Sequence, residues 1–119
     1  MSNIEVEHWD NGNLKYLRIF NDKNELHNTE GPAVQFWYES GQEARRVFYI
    51  NDFYHNTEGP AVIEWDKNGV EEYRRYFLKD IEYTEEEFYR LKDTVEVSVE
   101  GGKTVRISRK SARALGLSD

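Results

Sequence analysis

His27-Asn28-Thr29-Glu30-Gly31-Pro32-Ala33-Val34 recurs unchanged as His55-Asn56-Thr57-Glu58-Gly59-Pro60-Ala61-Val62, an offset of 28 residues in a chain of 119. The same offset joins Trp9, Trp37 and Trp65, then Arg18, Arg46 and Arg74, then Phe20, Phe48 and Tyr76, so three copies of one unit run through residues 1 to about 92. A unit of this size cannot bury its own apolar face and must stack on its neighbours to make a core. The repeat therefore predicts architecture directly and chemistry only indirectly.

Within each unit, apolar and aromatic residues alternate over short stretches such as Val34, Phe36 and Tyr38. That period belongs to strands. The stretches are bounded by turn signals at Asp10-Asn11-Gly12, Glu39-Ser40-Gly41 and Asp66-Lys67-Asn68-Gly69, which predict hairpins. Each first strand ends at the tryptophan, each second strand runs through the arginine and the aromatic, and a longer connection through the octapeptide starts the next unit. The expectation is a mainly β fold: an antiparallel meander of six strands in three hairpin units of 28 residues. Gly31-Pro32 and Gly59-Pro60 fall where a strand begins, a place where proline loses no ladder hydrogen bond. The octapeptide thus reads as a corner, with His27 and His55 as turn residues rather than repeated ligands.

The third unit breaks the pattern, with Tyr83-Thr84-Glu85-Glu86-Glu87 where another octapeptide would begin. Thr84 followed by Glu87 is a capping-box signature, and the acidic first turn suits the helix dipole. A short helix over 85–92 is expected to close the meander, with Phe88 and Leu91 on its buried side. Beyond it Val95, Val97 and Val99 alternate with polar residues, Gly101-Gly102 turns the chain, and Val105 and Ile107 follow. Ser108 then caps a helix over 109–115, ending at Gly116. The organisation expected is a repeat domain over 1–93 and a small β-β-α module over 94–119.

Charge changes at the same boundary. Through Asp93 there are 11 basic and 20 acidic residues, and the remainder holds 5 and 3, within a net charge of −7. So acidic a chain repels nucleic acid and anionic membranes unless basic residues are concentrated somewhere. With no cysteine, neither disulfides nor thiolate metal sites are available. No signal peptide or membrane-length apolar run is present, so a cytoplasmic protein with no membrane association is expected.

Laid out as strand, glycine turn, strand and Gly-Pro-Ala-Val restart, residues 1–92 resemble the MORN-repeat variants labelled antitoxin components (YwqK-like), which also occur in phage and large-virus proteins. The residues carrying the likeness are His27, Gly31, Pro32, Ala33 and Trp37, their copies His55, Gly59, Pro60, Ala61 and Trp65, the turn glycines Gly12, Gly41 and Gly69, and Tyr83, Glu86, Glu87 and Phe88. The resemblance implies an antiparallel β repeat fold and favours a phage or prophage source. The period is longer and poorer in glycine than an ordinary MORN unit, so phosphoinositide binding is not implied.

No nucleophile elbow or phosphate-binding loop is present, and paired acids such as Glu71-Glu72 are too common to single out a catalytic dyad. His8, His27 and His55 with Glu30 and Glu58 supply metal donors in principle, but turn histidines more often bond to backbone. No enzyme activity, metal or cofactor is expected. The 3 Trp, 8 Tyr and 6 Phe exceed what a small core needs, and exposed aromatics rimmed by acids fit a protein-binding surface. The expected function is a non-enzymatic protein-binding module, a phage-encoded inhibitor of a host protein such as a CRISPR-type nuclease or a toxin. Its contacts are assigned to Tyr38, Tyr49, Tyr54, Tyr73, Tyr89, Glu71 and Glu72, with Tyr16 a further surface tyrosine. The alternative is nucleic-acid binding by Lys103, Arg106, Arg109, Lys110 and Arg113. Open sheet edges would also allow a homodimer.

Overall fold

The computed structural model describes residues 3–117. Three glycine turns generate three hairpins. The amide of Trp9 donates to the Asn13 carbonyl while Gly12 closes the turn onto Trp9, and the same pair of bonds recurs at Tyr38, Gln42 and Gly41 and at Asp66, Val70 and Gly69. The three glycines have φ between +84° and +93°, the region that costs a side chain energy. These turns join β1 (Asn3–His8) to β2 (Leu14–Phe20), β3 (Val34–Trp37) to β4 (Glu43–Val47), and β7 (Val62–Trp65) to β8 (Glu71–Leu78).

All pairings are antiparallel, and β1, β2, β3, β4, β7, β8 and β9 (Ile81–Tyr83) form one seven-stranded sheet in that order. The meander of repeated hairpins is thus present, with more strands than the six expected. The connection after β4 folds into its own hairpin, β5 (Tyr49–Ile50) and β6 (Phe53–Tyr54), and β9 is the corresponding return after β8. Both returns turn on two residues of positive φ, Asn51 and Asp52 in one and Lys79 and Asp80 in the other, the backbone of a tight twisted hairpin.

The octapeptide corners tie each unit to the next. Nδ1 of His27 accepts from the Asn51 amide at 3.0 Å and Nδ1 of His55 from the Lys79 amide at 2.9 Å. Asn28 and Asn56 each donate to the carbonyl of the proline four residues on, and accept the amide of the glutamate two residues on. The Asp52 carboxylate accepts from the Leu26 amide, and Asp80 from Tyr54. The duplicated residues are therefore the joints between units.

The pairings revise one spacing. Glu7 lies opposite Tyr16, Phe36 opposite Arg45, and Glu64 opposite Tyr73. Residues of the first hairpin consequently correspond to those 29, not 28, positions later. Trp9 stands where Tyr38 stands, and its indole N–H donates to the Trp37 carbonyl just as the Tyr38 hydroxyl donates to that of Trp65. The arginine ladder has two equivalent members, Arg46 and Arg74, because Leu17 takes the corresponding place on β2. The turn after β2, Asn21–Glu25, holds the extra residue: His27 bonds back to Ile19, eight positions away, whereas His55 bonds back to Phe48, seven away.

The core is small: Val34, Val47, Ala61, Val62 and Phe77, with Leu26, Phe36, Phe48, Tyr49 and Tyr54 against it. The chain divides into two compact units, Met1–Tyr83 and Thr84–Asp119. The second holds α1 (Glu85–Asp93), β10 (Thr94–Val99), β11 (Lys103–Ser108) and α2 (Arg109–Ala114). Thr84 and Glu87 form the capping box on α1, and Ser108 caps α2. Phe88 and Ala112 are its buried side chains, with Leu91 half-buried. The charge boundary falls at Asp93, whereas the boundary between compact units falls at Tyr83.

Candidate binding face of the repeat sheet

In an antiparallel sheet, directly opposed residues share a face. One row crosses six strands without a break: Glu7, Tyr16, Phe36, Arg45, Glu64 and Tyr73, each opposite the next. A second row on the same face reads Glu5, Arg18, Val34, Val47, Val62 and Arg75. Between and below them lies a shallow groove of about 320 Å³, lined by Arg18, Phe20, Leu26, Val34, Phe36, Arg45, Val47 and Tyr49. Its floor is aliphatic, its walls are largely aromatic, and two guanidinium groups stand at its rim.

The charged groups of this face are organised in pairs. Arg18 meets Glu5 and Arg45 meets Glu64, both at 3.4 Å, while Arg75 forms a fork with Glu82 at 2.8 and 2.9 Å. Arg18 also lies over the Tyr16 ring at 4.6 Å. The hydroxyl of Tyr73 donates to Glu64, and this carboxylate raises the tyrosine's pKa. Glu7 acts likewise on Tyr16. Tyr73 keeps 43% of its surface exposed, so a large ring stands at the solvent boundary.

The opposite face carries a different pattern. Bulges between Phe36 and Trp37 and between Glu64 and Trp65 insert an extra residue into β4 and β8, which brings side chains three apart onto one side. That is why Glu43 reaches Arg46 at 2.6 Å and Glu71 reaches Arg74 at 2.7 Å, and Arg46 then covers the Trp65 ring. Burial opposes ionisation of Glu43, but hydrogen bonds from Arg46 and Gln35 outweigh it and hold its carboxyl below the ordinary range.

Of the tyrosines and glutamates singled out from sequence, Tyr16 and Tyr73 belong to the rows described above. Tyr49 and Tyr54 stack on each other at 4.9 Å, and Tyr54 stacks on Phe77 at 4.8 Å; Tyr49 presents its flank to the groove. Tyr38 spends its hydroxyl on the bond between units. Glu71 is clamped by Arg74, Glu72 is exposed on the bulge of β8, and Tyr89 belongs to the second unit, edge-on to Phe88. Phe36, Arg45, Glu64 and Arg75 join this face through strand register, which residue type alone does not reveal. In the second unit, Arg106 donates to the Thr94 side chain and carbonyl, and Arg109 donates to the Lys92 carbonyl. Two of the five basic residues proposed for nucleic acid are thereby used within their own unit, while Lys103, Lys110 and Arg113 are exposed.

The joints between units carry a pH dependence. Burial, and then the Lys79 ammonium, hold His55 below its ordinary pKa of 6.5. The unfolded chain therefore takes up this proton first, so the contribution is complete above about pH 6.5 and declines as pH falls below it. Hydrogen bonds from Arg74 and Arg75 hold Glu71 and Glu82 below 4.5, which adds a second decline below that pH. Thermal melts from about pH 8 to pH 3 are expected to show both stages, and His55→Gln to remove the first.

Among the described residues, no group of three or more histidine or acidic side chains is placed to hold a metal ion, and no helix is long and apolar enough to cross a membrane. No protein-family model matches the chain, and no curated protein or solved structure is significantly similar to it.

Proposed function

We propose that the protein is a non-enzymatic protein-binding module and that its partner docks on the face built from Tyr16, Phe36, Arg45, Glu64 and Tyr73. The observation that carries this reading is the unbroken cross-strand row beside an apolar groove on a sheet face. Tyrosine, phenylalanine and arginine are enriched where proteins meet, since rigid rings supply contact area at small entropic cost. The groove suits an inserted apolar side chain, and the surrounding ion pairs suit a polar rim. Within this reading the partner is one that is inhibited by being occupied, such as a nuclease or toxin of a host cell.

The test is affinity capture from a host-cell lysate at moderate salt, comparing the natural chain with Tyr73→Ala and Tyr16→Ala. Both rings lie outside the buried core, so melting temperatures are expected to shift little. A partner retained by the natural chain and lost by both variants supports the proposal. Retention by both variants, or no partner at all, overturns it.

A further inference from the structure

We propose that β1 is a strand-addition site, and that its occupant is an extended segment of a partner protein in which basic and apolar residues alternate. β1 is outermost in the sheet, and each of its six residues is exposed. An outermost strand leaves one side of its backbone hydrogen-bonding groups without a sheet partner. Natural edges are usually blunted by charged side chains, lysine above all, or by proline, shortness or a mid-strand bulge. Asn3–His8 contains no lysine or proline and its register shifts only at Glu7/His8, so its protection is the negative charge of Glu5 and Glu7, which excludes like strands and admits a basic one. The opposite edge, β9, has three residues.

The two faces of β1 specify what would fit. Ile4 and Val6, 62% and 47% exposed, extend an apolar stripe through their partners Ile19 and Leu17. Glu5 and Glu7 point to the other face. An incoming antiparallel strand places alternate residues opposite these two sets. Apolar side chains would therefore lie beside Ile4 and Val6, and cationic ones beside Glu5 and Glu7. A second copy of β1 fits badly: every face-matched antiparallel pairing longer than three residues sets a glutamate against a glutamate. Like charges directly opposed destabilise a sheet, so the homodimer considered from sequence is disfavoured at this edge.

The probe is a short fluorescein-labelled peptide that strictly alternates valine and arginine, compared with a peptide of the same composition in two blocks and with one alternating valine and glutamate. The alternating basic peptide is expected to bind at moderate salt and to slow amide exchange in β1. Val6→Lys should weaken it by roughly tenfold or more, through a lost apolar neighbour and an added like charge. Val6 is exposed on the face away from the groove, so folding is expected to survive, and Tyr73→Ala should leave peptide binding unchanged. That control separates failure of this proposal from failure of the face proposed above. Equal binding of the block or acidic peptide, undiminished binding by Val6→Lys, slowed exchange away from β1, or a dimer held by β1 would each overturn it.

Discussion

Phe77→Ala is expected to lower the melting temperature of the repeat unit by on the order of 20 °C, through a loss of about 3–5 kcal/mol. Only 6% of Phe77 is exposed. It packs with Val34, Val47, Ala61 and Val62 and ends the ring stack that runs through Tyr54 to Tyr49. With so few side chains in the core, removing one ring withdraws a large share of the apolar contact, and a domain's whole stability is only about 5–15 kcal/mol. Phe20 is the first-unit counterpart and is half-buried, so Phe20→Ala should cost clearly less. Melts of the two variants beside the natural chain make the comparison. A Phe77→Ala protein melting within a few degrees of its parent would show that the stack does not hold the units together.

Much of this architecture could be read from residues. The octapeptide marked the corners because the groups that make them, His27, Asn28 and Pro32 and their copies, must recur wherever the corner recurs. Thr84 with Glu87, and Ser108 before α2, marked helix starts because caps act locally. The short returns were harder to see. β5–β6 rests on four residues turning at Asn51-Asp52, a pair the sequence presents as an ordinary loop signal. The spacing of the first unit is hidden because Trp9 and Trp37 match as letters at 28 positions, whereas the strand pairings relate residues 29 apart. The turn glycines were the better guide: Gly12 and Gly41 differ by 29 positions, and turns set register.

The candidate face was less legible, for a physical reason. Whether a tyrosine in a repeat is surface, stack or strut depends on what the next unit places beside it. Tyr38 and Tyr73 look alike in sequence, yet one bonds to the Trp65 carbonyl and the other meets Glu64 in the open. With the 29-residue spacing, Tyr16, Arg45 and Tyr73 fall into one row, and the face becomes readable. The abundance of acid was a weak signal because arginines on neighbouring strands pair with many of the sheet carboxylates.

The alanine of Gly-Pro-Ala-Val offers the sharpest test that the repeat is maintained by geometry. Ala33 and Ala61 are both 0% exposed, and each sits where a strand starts between two others. The Ala61 amide donates to the Arg75 carbonyl and its own carbonyl accepts from Phe48; Ala33 bonds in the same way to Val47 and Ile19. The ladder holds the backbone in place, and with none of the methyl surface exposed a larger side chain has no free space to enter. Ala61→Leu is therefore expected to cost about 3 kcal/mol, the upper end of what overpacking usually costs, by displacing the groups packed over it. Ala33→Leu should cost a similar amount, because the same joint is made there, whereas Ala114→Leu, on the exposed part of α2, should change little. Denaturant melts of the three variants decide the matter. If Ala61→Leu melted like its parent, close approach of units would not be the reason for the duplicated alanine, and the octapeptide would need an explanation in ligand binding.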